Sequence, residues 1–122
     1  MAKILVIDDS PFIRNMWRRY LEAAGFEVED FLPSSVSELM ERIKQSPPDL
    51  VLSDFNMPVV NGQNIARGVR ETSPKTPVII LTANQDEARD AILQSIGVSK
   101  IIYKPIHEQD LVSAVNNVLA LK

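Results

Sequence analysis

Five times along the chain, a short run of mostly apolar, β-branched residues gives way to a longer stretch whose apolar residues fall three and four apart. The runs are Lys3–Ile7 (KILVI), Glu27–Phe31 (EVEDF), Leu50–Leu52 (LVL), Val78–Leu81 (VIIL) and Lys100–Tyr103 (KIIY). Unbroken apolar runs suit strands covered on both faces of a parallel sheet. The three acids of EVEDF suit an edge strand, and KIIY is the second candidate edge. Between the runs, the spacing predicts helices over Pro11–Ala24, Ser35–Lys44, Gly62–Thr72, Gln85–Ile96 and Glu108–Leu121. Ile13, Met16, Trp17, Tyr20 and Leu21 share one face of the first, and Gly25 follows as its C-terminal cap. Val36, Leu39, Met40 and Ile43 line the second, and Ser35 with Glu38 reads as a capping box. Gly68 weakens the third, since glycine inside a helix costs about 1 kcal/mol against alanine. Gly97 ends the fourth, and Leu111, Val115, Val118 and Leu119 line the fifth. Strand–helix alternation of this kind predicts an α/β fold, a doubly wound (βα)5 unit with a parallel five-stranded sheet and helices on both faces.

A chain of 122 residues suits one domain spanning 1–122. The absence of cysteine removes disulfides, zinc–thiolate centres and cysteine nucleophiles. No apolar stretch approaches the roughly 20 residues of a membrane span, and no signal peptide precedes the first strand. A formal net charge of -3 argues against direct nucleic-acid binding. The expectation is a soluble cytoplasmic domain without membrane insertion, with no output domain after the last helix.

The polar residues that end the strands carry the chemistry. The first strand ends at Asp8-Asp9, the third at Asp54, the fourth at Thr82 and the fifth at Lys104-Pro105. Right-handed crossovers make the strands parallel, so these C-terminal ends share the edge where open α/β sheets bind ligands. Alone, an aspartate in the position of Asp54 could cap a helix, bind a metal or act as a nucleophile. Neighbouring strands lie about 4.8 Å apart, so adjacency of the first and third would crowd three carboxylates together. Such a group raises its own pKa values unless a cation neutralises it. Mg²⁺ accepts a few carboxylate oxygens together with water and a phosphate. With Lys104 as a mobile positive charge and Thr82 as a donor, the set suits phosphoryl transfer.

These residues resemble a known family. ILVIDDS, SDFNMPVVNG, LTA and YKP occur in the order and spacing of receiver domains of two-component response regulators, over essentially the whole chain. The overall form is most similar to stand-alone, chemotaxis-type regulators. The resemblance implies a flavodoxin-like, CheY-like sheet of strand order 2-1-3-4-5. It implies that Asp54 accepts a phosphoryl group from a sensor histidine kinase or phosphotransfer protein. It further implies a Mg²⁺ cofactor held by Asp8, Asp9, Asp54 and the backbone carbonyl of Asn56, with Asp8 acting through a metal-bound water. Thr82 and Lys104 would contact the phosphoryl group, and the Lys104–Pro105 bond would be cis. The resemblance also implies that Asn56 and Asn84 occupy positions that would tune the lifetime of the acyl phosphate. A downstream protein would read the face of the fourth helix, fifth strand and fifth helix. Such a domain is a phosphoacceptor rather than an enzyme, although it assists its own phosphorylation and dephosphorylation.

One position departs from the family pattern. Ile101 stands where an aromatic switch residue is common, and Tyr103 follows two residues later on the same strand face. Switching is therefore expected to rest on Thr82 and the following loop, with Ile101 only repacking. His107, the single histidine, reads as a surface residue, and Trp17 as core packing. Arg14, Arg18 and Arg19 lie mostly off the apolar face, as a solvated side or a basic patch for a kinase. Three rivals remain at this point. A flavodoxin-like cofactor carrier would need a Ser/Thr/Gly-rich loop where this chain has DDSPF. A Mg²⁺-dependent aspartyl phosphohydrolase would need an acid where Asn56 stands. The chain could also be a receiver module cut from a longer regulator.

Overall fold

A computed structural model describes residues 2–120. The elements alternate without exception: β1 (Lys3–Ile7), α1 (Pro11–Ala23), β2 (Glu27–Phe31), α2 (Val36–Gln45), β3 (Leu50–Asp54), α3 (Gly62–Thr72), β4 (Val78–Thr82), α4 (Glu87–Ile96), β5 (Lys100–Tyr103) and α5 (Glu108–Ala120). The strands form one parallel sheet in the order β2-β1-β3-β4-β5. The acid-bearing EVEDF strand and KIIY are the two edges, and the unbroken apolar runs are central. Every residue of β3 and β4 is buried.

Alternating strand residues feed two cores. On one face, Ile4, Val6, Leu50, Leu52, Ile79 and Leu81 pack with Trp17 and Leu21 of α1 and Leu111, Val115 and Val118 of α5. On the other, Leu5, Ile7, Val51, Val78 and Ile80 pack with residues of α2, α3 and α4, among them Leu39, Ile65 and Leu93. Burying side chains of this size stabilises by roughly 1.5–3 kcal/mol each, which holds the helices against the sheet and fixes its register.

Helix ends show where local spacing falls short. Ser35 accepts the Glu38 N–H at 3.0 Å, but the Glu38 carboxylate turns to the backbone N–H and hydroxyl of Ser34, so the expected capping box closes on one side only. The reciprocal box lies instead at α3, between Asn61 and Asn64. The fourth helix starts at Glu87 rather than Gln85, because extended Asp86 accepts the Arg89 N–H at 3.0 Å and caps it. The first ends at Ala23, with Ala24 as its cap. The expected end of the last helix at Leu121 lies outside the described residues. Gly68 has a packing reason: a Cβ there would lie 3.2 Å from Leu39 and Val36 of α2.

The end of α4 yields a stability prediction. Gly97 has φ 104°, a left-handed conformation that costs other residues about 1–2 kcal/mol. Arg70 donates to the carbonyls of Ile96 at 3.0 Å and Gly97 at 2.7 Å, and a Cβ on Gly97 would overlap its guanidinium. Gly25, with φ 95°, faces open space. Urea unfolding is expected to show Gly25→Ala losing about 1 kcal/mol and Gly97→Ala losing about 2 kcal/mol or more. Equal losses would mean that Arg70 contributes nothing there.

Candidate functional site

The register brings the sequence-selected polar residues to the C-terminal edge of the sheet. Asp54 is the last residue of β3 and pairs with Leu81, one residue before Thr82 closes β4. Asp8 and Asp9 follow β1, which lies beside β3. One oxygen from each of Asp8, Asp9 and Asp54 lies within 4.8 Å of the others. Asp8 and Asp54 are buried, whereas Asp9 is exposed.

Lys104 answers that negative charge. Its backbone N–H donates to the Thr82 carbonyl at 2.8 Å, extending the β4–β5 ladder past the end of β5. Its Nζ lies 2.8 Å from Asp54 Oδ1 and 3.7 Å from Asp8 Oδ2. The Lys104–Pro105 peptide bond is cis.

Asp8 is held by neighbouring residues of β1–α1. Its Oδ1 accepts the Ser10 N–H at 2.7 Å, and Ser10 in turn caps α1 by accepting the Ile13 N–H at 3.3 Å. Arg14 donates to the Asp8 carbonyl. Asp8 Oδ2 is buried without a hydrogen-bond partner. Burial pushes the Asp8 carboxyl up to about 6, the Ser10 N–H opposes this, Asp54 adds to the rise, Lys104 opposes it, and Asp9 adds to it. The cluster presents hard oxygen donors, one of them orphaned, and this suits a small divalent cation.

The remaining selected residues surround this centre. Asn56 is exposed in the loop after β3, which buried Met57 and Val60 anchor. Thr82 is fully buried, and its hydroxyl donates to the Asn84 carbonyl over a long 3.4 Å. The exposed Asn84 also receives Arg89 Nη2 on the same carbonyl at 2.6 Å. Arg89 stacks over Phe55 at 4.8 Å and pairs with Asp90 at 3.1 Å. Ile101 packs against the α2–α3–α4 core. Tyr103 is exposed, and its hydroxyl donates to Asp90. His107 is exposed as well.

Several neighbours of the site were invisible to local spacing. Arg14 and Arg18 are engaged rather than free: Arg14 pairs with Asp30 at 3.5 Å, and Arg18 pairs with Asp30 and with Glu22. Only Arg19 of that trio is exposed. Trp17, read from the sequence as core, also lies beneath the Lys104 ammonium, 5.4 Å from ring centroid to Nζ. Among the described residues, no helix is long and apolar enough to cross a membrane.

Comparison with known proteins finds relatives of the same fold. Residues 4–116 match the family described as the response regulator receiver domain. The chain is 32% identical to a chemotaxis protein CheY of Halobacterium salinarum, over 98% of both chains. It is 30% identical to the phosphate regulon transcriptional regulatory protein PhoB of Rhizobium meliloti, where 98% of this chain matches 52% of that one. A crystallised CheY4 of Vibrio cholerae superposes with a TM-score of 0.86 at 31% identity, covering 97% of this chain and 98% of the other.

The buried Asp8 predicts a pH dependence. The folded protein holds the Asp8 proton more tightly than an unfolded chain, whose carboxyl titrates near 3.8. Stability from this group is therefore complete below about 3.8 and is lost as the pH rises through about 6. In metal-free protein at neutral pH, Asp8→Asn is expected to raise stability by on the order of 1–3 kcal/mol, since the amide keeps the Ser10 bond without the charge. Urea denaturation in chelator across the acidic to neutral range checks this. A variant less stable than the parent at neutral pH would contradict it.

Proposed function

Since the chain belongs to the response regulator receiver domain family of two-component systems, we propose that Asp54 is the phosphoacceptor of a cytoplasmic signalling domain spanning residues 1–122. The observation that carries this reading is the buried Asp54 carboxylate, with Lys104 Nζ 2.8 Å from its Oδ1 and two further acids beside it. A sensor histidine kinase or a phosphotransfer protein supplies the phosphoryl group. An Asp54 oxygen attacks phosphorus as the phosphorus–nitrogen bond of the donor's phosphohistidine breaks, and the imidazole leaves with the electron pair and takes up a proton. The product is an acyl phosphate, so the domain is a modified regulator that assists its own chemistry rather than an enzyme.

Asp8, Asp9, Asp54 and the backbone carbonyl of Asn56 would hold Mg²⁺. The orphaned, buried Asp8 Oδ2 supports this assignment. When bound, Mg²⁺ supplies positive charge against the acids and the incoming phosphoryl oxygens. Lys104 turns from the carboxylate to a phosphoryl oxygen. The Thr82 hydroxyl leaves its 3.4 Å bond to Asn84 for another phosphoryl oxygen, exchanging a weak hydrogen bond for a charge-assisted one. Asn56 and Asn84, both exposed at the rim, set the access of hydrolytic water. Phosphorylation favours one of two pre-existing arrangements, and a downstream protein reads the α4–β5–α5 face.

Intact mass after incubation with Mg²⁺ and acetyl phosphate tests the reaction. The parent is expected to gain one phosphoryl group. Asp54→Asn, or omission of Mg²⁺, is expected to abolish the gain. A gain that persists in Asp54→Asn would move the acceptor elsewhere.

The switch has its own test. Because Tyr103 is tethered to Asp90 and Ile101 is already packed in the core, a structure with beryllofluoride is expected to show Thr82 and its loop moved and Ile101 repacked. Tyr103 is expected to stay on the surface. A swing of Tyr103 into the core would sink this switch.

A further inference from the structure

Lys104 carries a long, flexible side chain, and its ammonium must lie over Asp54 to meet a phosphoryl oxygen there. Its backbone is fixed by the Thr82 carbonyl, but that bond leaves the side-chain torsions free. Three groups surround the ammonium. Asp54 Oδ1 lies at 2.8 Å and Asp8 Oδ2 at 3.7 Å. On the α1 side, the indole face of Trp17 lies 5.4 Å from centroid to Nζ, within cation–π range.

The two carboxylates are unreliable partners during the reaction. Both belong to the cluster that would hold a divalent cation, and a cation there weakens their pull on the ammonium and repels it directly. The indole ring carries no titratable group and offers a hard cation no oxygen. It also cannot drift, since Trp17 is 2% exposed and packed among Leu21, Leu111 and Val115. Ile13, Met16, Pro105 and Ile106 line an adjoining cleft of about 390 Å³, and their side chains offer no strong acceptor that could divert the lysine. An aliphatic residue at position 17 would fill the core, but its side chain would present no negative face to the ammonium.

We propose that Trp17 is a positioning residue for phosphoryl transfer: its ring holds the Lys104 ammonium over Asp54 while the neighbouring acids are engaged by the cation. This rests on the receiver reading, in which Lys104 meets the phosphoryl group. It goes beyond that reading by assigning a role to a core residue of α1.

The seat and the reaction are tested separately. In the metal-free parent, Lys104 methylene protons above an indole face are shifted upfield by its ring current. NMR is expected to show that shift, and to show its loss in Trp17→Leu. Ordinary methylene positions in the parent would overturn the proposal, and this readout needs neither Mg²⁺ nor a phosphoryl donor.

For the reaction, the rate of uptake from acetyl phosphate at saturating Mg²⁺ is compared in Trp17→Phe and Trp17→Leu, each confirmed folded by circular dichroism at the assay temperature. Phe keeps an aromatic face and is expected to stay close to the parent. Leu is expected to be slower on the order of five-fold, with the half-saturating Mg²⁺ concentration unchanged. Equal rates in folded Phe and Leu variants would reduce Trp17 to packing and overturn the proposal. If Trp17→Leu does not fold, the parent NMR signals decide. Failure of the parent to take up phosphate, with the upfield signals present, would count against the receiver reading and leave the ring–ammonium seat standing.

Discussion

Two carboxylates, Asp8 and Asp54, are buried side by side at the end of adjacent strands, and much of the polar structure around them answers to that fact. Removing a carboxylate from water is costly unless hydrogen bonds or opposite charge offset the loss. Asp54 has the Lys104 ammonium at 2.8 Å. Asp8 has one backbone N–H on one oxygen and, on the other, no hydrogen bond and only the more distant Lys104 ammonium at 3.7 Å, so its share of the repulsion is less fully offset. The cost sits at the site rather than in the core, where β3 is apolar over Leu50–Leu52 and β4 over Val78–Leu81. A region arranged in this way responds strongly to any added positive charge, because that charge removes an existing penalty as well as making new contacts.

Parallel strands are what make such crowding possible. Each strand delivers its last residue to the same edge, and each following loop starts from there. Core packing on both faces then fixes the register, so Asp54 cannot slide relative to β1 or β4 without moving apolar side chains from one core to the other. The unfavourable site is thus held in place by two favourable cores.

The strand runs, their order of burial and the residues at their ends were legible in the sequence because they depend on local composition: unbroken apolar runs for the central strands and acids for an edge. The polar convergence at the sheet edge followed from chain direction alone. Side-chain contacts between different elements were not legible. Arg18 reaches Asp30 on β2, Tyr103 reaches Asp90 on α4, and Trp17 lies under Lys104, separated from it by most of the chain. No local period encodes such pairings. Cap chemistry failed for a different reason. Glu38 had two equivalent uses, at Ser35 or at Ser34, and only the geometry of the preceding turn selects the second. At α3, an Asn–Asn pair performs the reciprocal role that the usual Ser/Thr–Glu pattern advertises.

The path leading away from the site has unequal links, and their order matters. Thr82 donates to the Asn84 carbonyl at 3.4 Å, whereas Arg89 donates to the same carbonyl at 2.6 Å. Arg89 also stacks on Phe55, the residue after Asp54, and pairs with Asp90, which accepts from Tyr103. The weakest contact in this series is the one nearest the carboxylates, and the contacts on α4 and β5 are shorter and charge-assisted. Withdrawal of the Thr82 hydroxyl therefore costs little and leaves Asn84 held by Arg89. The Arg89–Asp90 pair instead ties the β3–α3 and β4–α4 loops to β5, so a displacement of either loop must be shared with the α4 surface. On the reading in which Asp54 is phosphorylated, that division would keep the chemical event inexpensive and make its mechanical consequence collective.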